Sequence, residues 1–316
     1  MSETVNHKLL RRVREARRFD VQQVARALGT KPERVAAFEE GHVEPTFSQV
    51  EKLGDIYGLS SFYFYGDAVP NLEAPPLDFR TENPEPAKLS VSAASLIRRA
   101  AEVGALLKTV IDRTGVQLRK DVIARISSGT AQDAAKEFTG SSSVLTRLDR
   151  SDAAGAFALA RLYAEASGIS VMTATLSEND FRGCYIHAER ALPVIIINNK
   201  FWSKKSQLFT LFHELGHHAL SAEGVSNPNI VRNDVERFCN QFAAEVLAPT
   251  EEFKGLLTSV SRPETVNDFA AVARFISDQT LLSVAATAIR LVEVGFAPRP
   301  MLNEWFHARP QRAVID

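Results

Sequence analysis

Apolar residues in the first 66 positions recur at helical spacing and predict four short helices, over 5–18, 21–28, 32–40 and 47–57. Asp20 and Thr46 stand where N-caps belong, Pro32 at a first helical position, and Gly29, Gly41 and Gly58 just past helix ends. Residues 70–86 break the pattern with five prolines, which reject helix interiors and central strands. This stretch reads as a linker or a strap laid over a domain, with Leu77 and Phe79 as apolar anchors. A long helical pattern follows over 89–113, then shorter ones over 119–127, 131–138 and 151–167. The period then changes to three short β-branched runs, 169–176, 181–188 and 193–198, which read as strands. Helical spacing returns over 203–222, 231–247, 250–258, 264–276 and 279–294, and the end from Pro298 reads as irregular. The fold class is mainly α with a small β-sheet (α+β). It divides into an all-α unit over 1–69, a proline-rich linker or strap over 70–90, a main domain over 91–260, and a helical extension over 261–316 packed on that domain.

Composition narrows the function classes. Lys+Arg total 37 and Asp+Glu 38 in 316 residues, so net charge argues for neither nucleic acid nor membrane. No run approaches the length of a membrane helix, and the first residues hold no apolar stretch of the kind a secretory signal needs. Two cysteines, Cys184 and Cys239, make no disulfide framework. The expectation is a cytoplasmic protein.

The chemistry lies in one helical run, where Phe212-His213-Glu214-Leu215-Gly216-His217 contains HExxH. Positions i and i+4 of a helix share a face, so His213 and His217 can offer two imidazole nitrogens to one Zn²⁺. Glu214 would flank the metal as the general base. Catalytic zinc takes three protein ligands, and Glu223, Asp234, Glu236 and Glu245 are the candidates for the third. Glu236 is preferred, because it borders the apolar stripe of Val235, Phe238, Phe242 and Val246. Asn240, one turn later, could hydrogen-bond the outer nitrogen of a ligating histidine. Glu245 is the reserve on the opposite side of that helix, and Glu223 serves only if the motif helix ends early. His218 is turned about 100° from His217 and reads as structural or solvent-facing. Tyr185 and His187 share a strand face, and a structural role outweighs polarisation of a carbonyl there. Cys184 and Cys239 read as buried filler. An exposed edge of the 193–198 strand would accept an extended peptide substrate.

FTLFHELGHHAL followed by ERFCNQFAAEVLAP resembles the ImmA/IrrE metallopeptidases. PPLDFRTENP and the IIINN strand extend the resemblance over roughly 75–295. It implies a zincin-like fold in which His213, His217 and Glu236 bind Zn²⁺ and Glu214 is the base. It also implies a protein substrate of helix-turn-helix repressor type, whose cleavage releases stress, phage or mobile-element genes. One departure stands out: many members read ExEAN where this chain reads ERFCN, so Phe238 replaces a glutamate.

The first unit resembles the XRE helix-turn-helix domains in ALGTKPERVAAFEEGHVEPTFSQVEKLGDIYGL, with 32–40 as the recognition helix. Lys31, Glu33, Arg34 and Ala37 then lie near bases, and Arg11 and Arg14 belong to a run (8–18) of six basic residues against one acid that could meet phosphates. Against DNA stand ten Lys+Arg balanced by ten Asp+Glu over 1–69, and Glu33, Glu39 and Glu40 on the recognition helix. Where relatives often place a phosphate-contacting Gln, this chain has Val21. The unit binds DNA or docks on a protein, and leaves room for a homodimer. The alternative for the whole chain is a DNA-binding regulator whose peptidase-like domain senses a partner without hydrolysis.

Overall fold

The computed structural model describes residues 4–66, 77–78, 85–118, 129–140, 148–177, 179–200, 203–222, 224–226 and 233–308. The helix expected over 119–127, Phe79 and Glu223 lie outside them.

Four helices form the N-terminal unit: α1 (His7–Ala16), α2 (Val21–Leu28), α3 (Pro32–Glu40) and α4 (Phe47–Tyr57), closed by a 3₁₀ turn at Ser61–Tyr65. Local chemistry sets their ends. Asp20 with Gln23 and Thr46 with Gln49 make reciprocal capping boxes. Gly29 and Gly41 take φ of 74° and 75°, a left-handed conformation that costs glycine little. Val13, Val24, Val35, Phe38, Leu53 and Phe64 form the core of this unit.

Helix α5 (Val91–Thr114) joins that unit to a six-stranded sheet. The strands are β1 (Leu77–Asp78), β2 (Glu85–Pro86), β3 (Ser170–Ala174), β4 (Gly183–Ile186), β5 (Val194–Asn198) and β6 (Gly224–Ser226), in the order β2-β1-β6-β4-β5-β3. Two residues of the proline-rich stretch, Leu77 and Asp78, thus pair with β6 as a strand of the sheet. Helices α6 (Ala131–Gly140) and α7 (Ala153–Ala166) precede β3. After β5 come α8 (Lys204–Leu220), α9 (Asp234–Leu247), α10 (Thr250–Leu257), α11 (Val266–Asp278), α12 (Val284–Glu293) and α13 (Arg299–His307).

The sheet is covered on both faces, which explains the unbroken apolar run of β5. Ile195 and Ile197 face the core shared with α7 and α8, while Val194 and Ile196 face the cluster under α5. On β4 the same alternation sends Cys184 and Ile186 towards α5 and leaves Gly183 and Tyr185 towards α8.

Two expectations are corrected. β5 is no edge strand, because β4 pairs with one side of it and β3 with the other. A peptide cannot add to it. Nor can one add to β4, whose second side is taken by β6. Among the described residues beyond Pro298 the chain is not irregular: Arg299–His307 form α13, with Leu302 and Trp305 buried one helical turn apart and Trp305 edge-on to Phe269 at 6.0 Å. Proline at the start of a helix, which obscured this segment, is compatible with helix because the first N–H groups have no internal partner.

Candidate active site

The site is built where α8 and α9 cross. Ser203 caps α8 and starts a helix that is buried without a break from Thr210 to His217. Asn233 caps α9 by accepting from the Glu236 N–H. Glu236 therefore sits in the first turn of α9, where the helix dipole favours a carboxylate. The helices approach closely because position 216 is glycine: a Cβ there would stand 3.1 Å from both Cα and Sγ of Cys239.

This packing brings three donor groups together. His213 Nε2 and His217 Nε2 are 3.2 Å apart, and Glu236 places Oε2 at 3.4 Å from the first and Oε1 at 3.2 Å from the second. Donors about 2.0–2.1 Å from a tetrahedral zinc stand about 3.3 Å from one another, so this triangle fits that ion. His213 Nδ1, turned away from the triangle, donates to Asn240 Oδ1 at 3.0 Å and so leaves Nε2 with its lone pair. Burial pushes the His213 ring down to about 3, against a smaller upward pull from Asn240. Burial also pushes His217 down, partly offset by Glu236. Both rings are neutral at pH 7, as metal ligands must be.

Cys239 also brings its sulfur within 4.8 Å of a ring nitrogen of His213 and of His217. Burial, with the Glu236 and Glu214 carboxylates beside it, pushes its thiol well up. Glu236 stands closer, with carboxylate oxygens at 3.4 Å from His213 Nε2 and 3.2 Å from His217 Nε2, and both side chains are candidates for the third donor.

Glu214 is fully buried on the same helix. Its carboxylate lies against Gly183 of β4, where a Cβ would come within 2.0 Å of Oε1. Sequence reasoning missed Gly183, although a glycine inside a strand pattern signals close approach of another group. It also missed Arg182, whose half-buried side chain lines a cavity beside Asn240.

The other candidates are placed elsewhere. Asp234 is exposed and paired with Arg237. Glu245 is buried, accepts from the Thr250 N–H at 2.9 Å and pairs with Arg290. His218 meets the Tyr185 hydroxyl at 2.9 Å through Nδ1, and His187 is exposed. Phe238 stacks on Phe242 at 6.4 Å and packs on the core. A glutamate at 238 would meet these rings, not the histidines. Phe238→Glu is expected to lower stability by ~1–3 kcal/mol with zinc stoichiometry unchanged, read by urea denaturation and elemental analysis. A gain in zinc affinity would refute this placement of the side chain.

In the N-terminal unit the four candidate DNA contacts separate. Lys31 and Arg34 are exposed at the start of α3, with Arg34 over the Phe38 ring. Arg11 is exposed and paired with Glu15. Arg14 is a correction: its guanidinium grips Glu39 through two bonds of 2.7 and 2.9 Å and donates to the Phe19 carbonyl. Its side chain is 12% exposed, and a phosphate would have to compete with Glu39 for it. Glu39 is likewise turned inward.

No curated protein matches the chain. A helix-turn-helix domain model matches residues 8–61. A peptidase-family model, described as the IrrE N-terminal-like domain, matches residues 164–288. The region that carries His213, Glu214, His217 and Glu236 thus matches the model of a peptidase family, and it is joined in one chain to a region that matches a helix-turn-helix domain.

Proposed function

We propose that this protein is a zinc-dependent endopeptidase that cleaves a regulatory protein, a repressor of helix-turn-helix type, and that its N-terminal unit directs it to that target. The observation that carries the reading is the triangle of His213, His217 and Glu236 donors with Glu214 on the same helix. When bound, zinc supplies Lewis acidity, lowering the pKa of a water towards neutrality and polarising the scissile carbonyl. His213, held by Asn240, and His217 keep their Nε2 atoms unprotonated for the ion, and Glu236 adds a negative charge that offsets part of its own. The Glu214 carboxylate, positioned by Gly183, accepts the proton of the attacking water and passes it to the leaving amine.

Elemental analysis of the purified protein tests the reading. About one zinc per chain is expected in the wild type, and a loss in both His213→Ala and Glu236→Ala. A wild type that takes up no zinc when it is supplied would overturn it.

One observation favours a second reading, a DNA-binding regulator that senses a partner without hydrolysis. His213, Glu214, His217 and Glu236 are all at most 1% exposed, so the site is closed to a peptide in this state. Zinc retention without cleavage of any repressor, together with a gel shift lost in a Lys31→Ala, Arg34→Ala double variant, would favour it.

A further inference from the structure

Cys239 stands where α8 and α9 cross. It follows Glu236 by three positions, so the two side chains leave α9 on one face. His213 and His217 leave α8 on one face in the same way. The two pairs meet: the Cys239 sulfur lies within 4.8 Å of a ring nitrogen of each histidine. Gly216, in the turn of α8 between the histidines, permits this approach, since a Cβ there would stand 3.1 Å from the sulfur. Cys239 forms no disulfide and is wholly buried.

Distance and chemistry both suit a metal. Sulfur at about 2.3 Å and nitrogen at about 2.0–2.1 Å from a tetrahedral zinc stand about 3.5 Å apart. The 4.8 Å is an upper bound, so the sulfur has at most about 1.3 Å to travel to reach that spacing. Zinc takes thiolate readily, and a metal ion strips the proton from the thiol that binds it. The sulfur–metal bond forms from the S–H electron pair, and the proton leaves to the solvent. Burial adds a third argument. Catalytic zinc keeps one position open to water, whereas structural zinc is held by four protein donors in a closed site. His213, His217, Glu236 and Cys239 are all at most 1% exposed, which is the character of the closed kind.

Resting on the reading of the site as that of a zinc peptidase, we infer that Cys239 is a fourth zinc donor, which with His213, His217 and Glu236 closes the shell of the resting protein. The position that hydrolysis needs for water is then held by the sulfur. Cleavage requires Cys239 to give that position up, which makes the thiol a latch on the enzyme.

X-ray absorption at the zinc edge of the full wild-type chain, loaded with zinc, tests this without any substitution. One sulfur at about 2.3 Å beside nitrogen and oxygen at about 2.0–2.1 Å is expected. Cobalt in place of zinc should show a sulfur-to-cobalt charge-transfer band in the near ultraviolet. Cys239→Ala should lose the sulfur signal and the band while keeping one metal per chain. It should lose zinc to EDTA at least about tenfold faster, the loss that even an outer partner of a ligand causes when removed. It should also cleave a peptide mixture from a digested proteome faster than wild type does. A wild-type shell of nitrogen and oxygen alone overturns the inference and leaves a three-donor peptidase. Equal cleavage by wild type and Cys239→Ala overturns the latch. A shell containing sulfur, with no cleavage by either protein, upholds the four-donor site and defeats the peptidase reading. A chain that takes up neither zinc nor cobalt overturns both.

Discussion

Gly183→Ala is expected to lower cleavage by about a hundredfold or more while zinc content stays at the wild-type level. The methyl group would stand 2.0 Å from Glu214 Oε1, 2.6 Å from Cδ and 2.9 Å from Cγ. Contacts this short cannot persist, so something must move. The backbone at 183 is held on both sides, paired with Ile197 of β5 and Ser226 of β6. Helix α8 is wedged between the sheet, α7 and α9 and is buried without a break from Thr210 to His217. The easiest movement is rotation of the Glu214 side chain, which takes the base away from the attacking water. The donor atoms of His213 and His217 meet Glu236 of α9, on the other helix, so the triangle is expected to survive. Parallel measurement of turnover and bound zinc separates the two effects. Full turnover in Gly183→Ala would show that Glu214 is not the base, or that its position is not set by β4. Loss of zinc would show instead that the substitution disturbs the fold of α8.

The contrast between Gly183 and the motif shows what a sequence carries and what it hides. Helix ends were legible because their chemistry is local: Asp20 caps a residue three places on, and Gly29 takes a conformation of its own. The pairing of His213 with His217 was equally local, fixed by one helical turn. Other features depend on segments that meet only in the folded chain. Gly183 is 31 positions from Glu214 and touches it because β4 runs under α8. Arg14 and Glu39 lie 25 positions apart, and a basic run looked like a surface until α3 supplied the acid. Strand order is the extreme case. The 193–198 segment reads the same as an edge or a centre, since its apolar content records only that both faces are covered. Nothing within it records which strands flank its edges. The small residue at 216 and the fate of Phe238 likewise follow from how α9 lies on α8, a tertiary fact.

The inward pair in the N-terminal unit leads to the second large effect. Glu39→Ala is expected to destabilise that unit by ~3 kcal/mol, because removing one partner strands the other charge in the interior. The side chains of Arg14 and Glu39 are only 12% and 6% exposed, and the two-bond contact fixes both. Without the carboxylate the guanidinium keeps the Phe19 carbonyl and the longer contact of 3.7 Å with the exposed Glu15, and bears the remaining cost of burial. A double replacement, Arg14→Met with Glu39→Leu, removes both charges and should recover most of the loss. The unit also rests on α5: Gln23 donates to the Leu89 carbonyl at 3.0 Å, and Val91 and Ala94 pack on its core. Its melting should therefore expose the start of α5 but not the α8–α9 crossing, which belongs to a separate core. Urea denaturation should show an early transition in Glu39→Ala with zinc still bound, and a change under 0.5 kcal/mol would refute the argument. The same geometry changes the electrostatics of α3. With Glu39 neutralised internally by Arg14, the exposed start of that helix is left with Lys31 and Arg34 against Glu33, a balance that permits an approach to phosphate which the raw count of acids argued against.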